Sequence, residues 1–259
     1  MMKLEGRVAL VTGAGSRKGI GQSIAMLLAQ EGAAVAVNDV NREWAQQAVE
    51  EIRKSGGEAL ALPADVSRED QVKNMINAVV EKWRGLDILV NNAGITQAIS
   101  VLEMSEEDWN RILDVNLKGT FLCTREALPY MIRKGWGRIV CISSVSGKKG
   151  GGRIGGVHYA ASKAGILGFT KALVREISPK GITANAICPG TIDTGKDPGR
   201  RMWNGRPALE GLEEARNTIP IGRVGTPEDV ARAVLFLVSE DADFINGEVM
   251  DVNGGAYID

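Results

Sequence analysis

Cysteine is scarce in this chain of 259 residues and histidine nearly missing, with three of the first and one of the second. Cys123, Cys141 and Cys188 are odd in number, far apart and without any CxxC spacing. That argues against a disulfide framework or a thiolate metal site, and suits a reducing cytosol in which each is a small buried apolar residue. A lone histidine, His158, cannot assemble a metal centre, so no metal is expected. Neither sign of charge is in surplus: 31 basic residues face 32 acidic ones, for a net charge of −1. Nucleic acid is therefore not an expected partner, because phosphate neutralisation needs a basic excess. No apolar run approaches the roughly 18 residues of a membrane span. The opening stretch breaks at Thr12-Gly13, too early for a signal sequence. The expectation is a soluble, cytoplasmic protein without a membrane partner.

What the chain does have is alternation. Short β-branched runs predict strands at Arg7–Thr12, Ala33–Asn38, Glu58–Pro63, Asp87–Asn91, Gly137–Ile142, Ile182–Ile187 and Gly247–Val252. Between them, helical period predicts helices at Gly19–Glu31, Arg42–Ser55, Arg68–Arg84, Glu106–Lys134, Tyr159–Ser178 and Pro227–Val238. Ser67/Asp70, Ser105/Asp108 and Thr226/Asp229 each offer a hydroxyl cap with an acid three residues on. Gly32, Gly56, Gly85, Gly135 and Gly181 suit left-handed positions after helix ends. Strand and helix in alternation imply parallel strands with right-handed crossovers, and near-continuous apolar strands imply helices on both faces. The expected fold class is α/β: a single doubly wound Rossmann-fold domain over 1–259, of about seven parallel strands.

The first strand runs into Thr12-Gly-Ala-Gly-Ser-Arg-Lys-Gly-Ile-Gly21, and a helix follows. Such glycines let the backbone approach a pyrophosphate, whose charge a helix N-terminus stabilises. No register of them matches GxGxxG, and no Gly-Lys-Ser/Thr follows to make a P-loop. At the end of the second strand Asp39 stands where a Rossmann carboxylate, roughly 20 residues past the glycines, accepts from the adenosine ribose. In that position it favours NAD over NADP: a 2′-phosphate about 5 Å away would cost roughly 3 kcal/mol per unit charge at an effective dielectric near 20. Arg17, Lys18 and Arg42 are the opposing countercharges.

Tyr159-Ala-Ala-Ser-Lys163 opens a helix, and its i, i+4 spacing puts both side chains on one face. An ammonium one turn away favours the phenolate and lowers a phenol pKa that is otherwise near 10, which suits general acid/base work. Upstream, a strand ends in Ser143-Ser144, at the carboxyl edge where open α/β sheets bind ligands.

The glycine loop, Asp65, Asn91-Asn-Ala-Gly94, Asn116, the serine, YxxxK and Pro189-Gly190, in this order, resemble the short-chain dehydrogenase/reductase family, and in particular 3-oxoacyl-carrier-protein reductases, over nearly the whole chain. The resemblance implies a hydride transfer between a nicotinamide dinucleotide and a secondary alcohol or ketone: a polyol, a hydroxyacid or a 3-oxoacyl group. It makes Tyr159 the acid/base and Lys163 its partner, which also binds the nicotinamide ribose. Ser144, rather than Ser143, orients the substrate oxygen, and Asn116 holds a relay water behind Lys163. Gly13, Ser16, Gly19, Ile20 and Gly21 meet the pyrophosphate side and Asp39 the ribose. Asp65 and Val66 meet the adenine, while Asn92 and Gly94 border the adenosine and ribose. Pro189, Ile192 and Thr194 line the carboxamide and pyrophosphate. The chain departs from the pattern where Arg17 and Lys18 lengthen the glycine loop and where the Ser144–Tyr159 stretch is long.

In the family, the region 193–220 is a lid over the substrate; here it lacks a strand pattern and carries Lys196, Arg200, Arg201 and Arg206. Lys148, Lys149 and Arg153 precede Tyr159, and together these cations suggest an anionic substrate, with solvated loop charge as the plain alternative. His158 reads as scaffold beside Tyr159, and Trp203 as a lid residue within reach of substrate. Nucleotide-sugar epimerases and dehydratases are longer chains. A dinucleotide-binding regulatory protein without turnover is the alternative from another class, and it would have no reason to keep serine, tyrosine, lysine and asparagine together. Family members are commonly homotetramers, and Phe244–Tyr257 resembles their assembly segment.

Overall fold

The computed structural model describes residues 2–150, 155–177, 180–195, 202–203 and 206–259. Its strands are β1 (Val8–Val11), β2 (Ala34–Asp39), β3 (Ala59–Pro63), β4 (Ile88–Asn91), β5 (Gly137–Ile142), β6 (Ile182–Pro189), β7 (Met202–Trp203), β8 (Arg206–Pro207) and β9 (Val249–Val252). The helices are α1 (Ile20–Gln30), α2 (Arg42–Lys54), α3 (Glu69–Trp83), α4 (Glu106–Leu113), α5 (Gly119–Lys134), α6 (Ser146–Lys149), α7 (Val157–Ile177), α8 (Ala208–Thr218) and α9 (Pro227–Val238).

Seven strands form one parallel sheet in the order β3-β2-β1-β4-β5-β6-β9. The order reverses between β1 and β4, which opens a crevice at the carboxyl ends of these strands. Alternation along β1 divides the core: Ala9 and Val11 pack on one side with Ile24, Leu28, Val234 and Leu237. Val8 and Leu10 pack on the other with Val72, Ile76, Leu122 and Leu173. With both faces covered, a strand has no polar side, hence the unbroken apolar runs.

Local chemistry explains where elements begin and end, and where expectation and structure part. Ser105/Asp108 and Thr226/Asp229 form complete capping boxes. Ser67 does not cap α3: its hydroxyl and its N–H both donate to Asp65 Oδ1, and Arg68 occupies the N-cap. Arg84, not Gly85, takes the left-handed position after α3, with φ 63°. The stretch expected as one helix from Glu106 is α4 and α5 joined by a π-turn over Asp114–Lys118. The region expected to lack strands contains the antiparallel β7–β8 pair and the helix α8. The single turn α6 and the extension of β6 to Pro189 also went unforeseen, and helix α7 starts earlier than expected, at Val157. Ser178, the expected end of that helix, lies outside the described residues. All three cysteines are free and buried, and burial pushes the Cys123 thiol up to about 12.

Candidate active site

The glycine loop is built for close approach. A Cβ on Gly13, whose φ is +61°, would lie 2.7 Å from Ala93 Cα; one on Gly21 would lie 2.4 Å from Asn92 Nδ2 and 2.5 Å from the Gly13 carbonyl oxygen. The loop turns where the Gly19 N–H donates to the Ser16 carbonyl (2.9 Å). Helix α1 then begins at Ile20 and Gly21, with Gly19 at the N-cap, no side-chain cap and no acid in its first turn. Unlike α4 and α9, it leaves its first N–H groups to whatever enters the crevice, and an anion is their natural partner.

Asp39 ends β2 almost wholly buried, and its carboxylate accepts from the Gly15 N–H (3.0 Å) and the Asn41 N–H (2.9 Å). It therefore ties the glycine loop to the start of α2. Arg17 turns away towards Glu51 of α2 (3.8 Å), which also accepts from Gln22 (2.7 Å). Lys18 adopts a left-handed φ of 56°; its N–H donates to Gln22 Oε1 (2.8 Å), and its Cδ would lie 2.9 Å from a Cβ on Gly195. Val66 is buried against Gly119, and Asp65 orders the turn into α3 through Ser67.

Three residues here escaped sequence reasoning. Thr12 Oγ1 accepts from the N–H groups of Asn92 and Ala93 (3.0 Å each), pinning the end of β4 to β1. Asn38 Nδ2 donates to the carbonyls of Leu62 and Ala64 (3.0 Å each). Gln22 holds the lengthened loop as described. Only Thr12 carried a signal, a hydroxyl at a strand end just before the glycines. Asn92 Nδ2 itself donates to the Thr12 and Gly13 carbonyls (2.8 and 2.9 Å), so its side chain braces the loop.

The tyrosine side of the crevice draws on four elements. Tyr159 and Lys163 share a face of α7, with Lys163 Nζ 5.8 Å from the Tyr159 ring centroid. The Lys163 ammonium is buried and donates to the Ile142 carbonyl (2.8 Å); burial pulls its pKa down to about 8. Asn116 sits in the π-turn, a form often found at functional sites. Its Oδ1 accepts from the Ile95 N–H (2.8 Å), and its Nδ2 donates to the Ile95 carbonyl and to Ser162 Oγ (3.0 Å each). A Cβ on Gly94 would stand 3.3 Å from Asn116 Oδ1 and 3.4 Å from Lys163 Nζ, so these three groups meet. The serines divide: Ser143 is buried and donates to the Lys163 carbonyl (2.7 Å), whereas half-buried Ser144 accepts the Ser146 N–H (3.1 Å).

At the end of β6 the Pro189 carbonyl accepts from the Val145 N–H (3.1 Å), and beyond it buried Ile192 bridges to Gly225. Thr194 follows, half-buried. His158 is fully buried, and its Nδ1 accepts from the Tyr159 N–H (2.9 Å), a scaffold contact. Lys148 corrects the idea of a free substrate-binding cation: its ammonium donates to Asp251 (2.7 Å) and Asp259 (2.5 Å). Lys149 is exposed, whereas Arg153, Lys196, Arg200, Arg201 and the side chains of Trp203 and Arg206 lie outside the described residues.

A crevice with an open helix N-terminus suits a dinucleotide, and a phenol beside an ammonium suits proton exchange with a carbonyl. Together they define the class of nicotinamide-dependent oxidoreductases acting on alcohols and ketones. The family model described as enoyl-(acyl carrier protein) reductase matches residues 13–257, and the chain belongs to that family, within the short-chain dehydrogenases/reductases. It is 42% identical over 262 residues to the 3-oxoacyl-[acyl-carrier-protein] reductase FabG of Thermotoga maritima, covering 99% of this chain and 100% of that protein. The FabG of Aquifex aeolicus is 43% identical over 257 residues, 99% of each chain. That of Staphylococcus aureus is 43% identical over 253 residues, 96% of this chain and 98% of its own. Among the described residues no helix is long and apolar enough to cross a membrane.

Proposed function

We propose that this chain, acting as one domain with 193–220 as its lid, is a cytoplasmic, NAD-preferring reductase of 3-oxoacyl thioesters. The substrate class is drawn from the printed activity of relatives that align along their full length. The observation that carries the reading is the meeting of Tyr159, Lys163, Asn116 and Gly94 beyond the carboxyl end of β4.

The residues present fit a nicotinamide dinucleotide. Gly13, Ser16, Gly19, Ile20 and Gly21 would take its pyrophosphate and Asp39 its adenosine ribose. Asp65, Val66, Asn92 and Gly94 would border the adenosine. Pro189, Ile192 and Thr194 would line the nicotinamide side. When bound, that group supplies the hydride. The Tyr159 hydroxyl gives its proton to the substrate oxygen, and the Lys163 charge steadies the phenolate that remains. Because Ser144 Oγ accepts from the Ser146 N–H, its own proton is left for the substrate oxygen as negative charge develops there. Asn116 closes the back of the site, where a remaining lone pair of Oδ1 can take a relay water beside Lys163.

The NAD preference rests on Asp39, a buried carboxylate at the end of β2 that would repel a 2′-phosphate on the ribose it binds, while Arg17 pairs with Glu51. The test is turnover of a 3-oxoacyl thioester with NADH and with NADPH, followed by nicotinamide absorbance, in wild type and Tyr159→Phe. The variant should lose about 10²- to 10⁴-fold in kcat while still binding the dinucleotide. Full activity in the variant refutes the mechanism, and higher kcat/KM with NADPH refutes the role of Asp39.

A further inference from the structure

Lys148 is the one cation of the sequence-singled group that the structure places in detail, and it is not used as expected. It lies in α6, a single helical turn that begins two residues after Ser144, and its side chain is 8% exposed. Its two carboxylate partners come from elsewhere: Asp251 from β9 and Asp259 from the segment beyond it. Burial works against the ammonium, yet the hydrogen bonds it donates to Asp251 and Asp259 prevail and hold its pKa above the ordinary lysine value. Asn253 Nδ2 donates to the Tyr257 carbonyl (2.9 Å), which folds that segment back, and the Tyr257 ring lies 6.0 Å from Lys148 Nζ.

What α6 touches gives the pair its meaning. The Ser146 N–H donates to Ser144 Oγ (3.1 Å), and the Gly147 N–H donates to the Ser144 carbonyl (2.9 Å). Gly147 lies flat on α7: a Cβ there would be 2.7 Å from the Lys163 carbonyl carbon and 2.8 Å from the Ala164 nitrogen. The turn that carries Lys148 therefore aims the Ser144 hydroxyl and backs the main chain of Lys163. The tether is held from its lysine end: the Lys148 ammonium is largely out of water, so moving it off both carboxylates would leave a buried charge without a partner, although Asp259 itself is exposed.

We propose that Lys148 is a positioning residue for the reduction: through Asp251 and Asp259 it clamps α6 to the edge strand β9 and so holds Ser144 and Lys163 in register. The proposal rests on the catalytic reading of those two residues given above. Lys148 itself touches no reacting atom.

The experiment measures kcat, KM, dinucleotide affinity and thermal midpoint for wild type, Lys148→Met, Lys148→Arg, Asp251→Asn and Tyr159→Phe, with the same thioester. Lys148→Met should lower kcat by about 10- to 100-fold, the scale of a small misplacement of a catalytic group, with dinucleotide affinity near that of the wild type. Lys148→Arg, which keeps the charge, should recover most of the loss, and Asp251→Asn should fall between them. Wild-type kcat in Lys148→Met, with Tyr159→Phe inactive, overturns the clamp and leaves the mechanism standing. Loss of kcat, dinucleotide binding and melting temperature together, without recovery in Lys148→Arg, overturns it in favour of plain scaffolding. Full activity in Tyr159→Phe removes the catalytic reading and the clamp with it.

Discussion

Lys163 is an ammonium almost wholly out of water, with the Ile142 carbonyl as its hydrogen-bond acceptor. Burial brings its pKa from the ordinary lysine value of 10.5 down to about 8, so the folded protein releases this proton more easily than the unfolded chain. Between those two values the unfolded state binds more protons, and stability rises with pH. The contribution is therefore present above the unfolded value and lost as pH falls through about 8. Its size is about 3 kcal/mol at 1.36 kcal/mol per unit. Urea unfolding of wild type and Lys163→Met at several pH values across this window should show the wild type gaining on the variant as pH rises. A constant difference between the two would contradict the assignment. The pairing of Tyr159 with Lys163 could be seen in sequence, because i and i+4 must share a helix face. The division of labour between Ser143 and Ser144 was visible there only through the family resemblance; geometrically it depends on which hydroxyl meets the Lys163 carbonyl, a contact made across twenty residues.

At the scale of elements, the tightest constraint is the passage from β1 to α1. Gly21→Ala would force a methyl onto Asn92 Nδ2 and the Gly13 carbonyl, both held in the bracing of the loop. Overpacking of this kind costs about 1–3 kcal/mol. Chemical denaturation should report that loss, and titration should show weaker dinucleotide binding; an alanine variant with wild-type values would show that the loop yields. The strand–turn–helix pattern announced this element, whereas the π-turn around Asn116 did not appear in the sequence. Its period differs from that of the flanking helices over only five residues, Asp114–Lys118, too few to disturb an apolar pattern. Helix α6 was hidden likewise: one turn has no period to read, and contacts from β9 and α7 hold it.

At the scale of the molecule, large apolar side chains remain in solvent on α4 and α5, at Trp109, Phe121 and Ile132, and near the end of the chain at Phe244 and Ile258. A homotetramer, the assembly common in the family, would give these faces a partner, since apolar surface of this kind is buried on association. Light scattering should return four times the chain mass of 27.7 kDa, and a monomer would contradict it.

Sequence alone determined the parallel α/β fold and the helix bearing Tyr159 and Lys163, because both rest on local regularities: apolar strands buried on two faces, and residues one turn apart. Ser105 and Thr226 belong with them, as caps that close within their own first turn. Only the tertiary structure decided which polar groups remain for ligand. Asp39 is tied to Gly15 and Asn41 yet keeps lone pairs for a ribose, whereas Arg17 is drawn to Glu51 and Lys148 is held by Asp251 and Asp259. A charge is spent or spared according to what the fold brings beside it, and those neighbours lie far off along the chain.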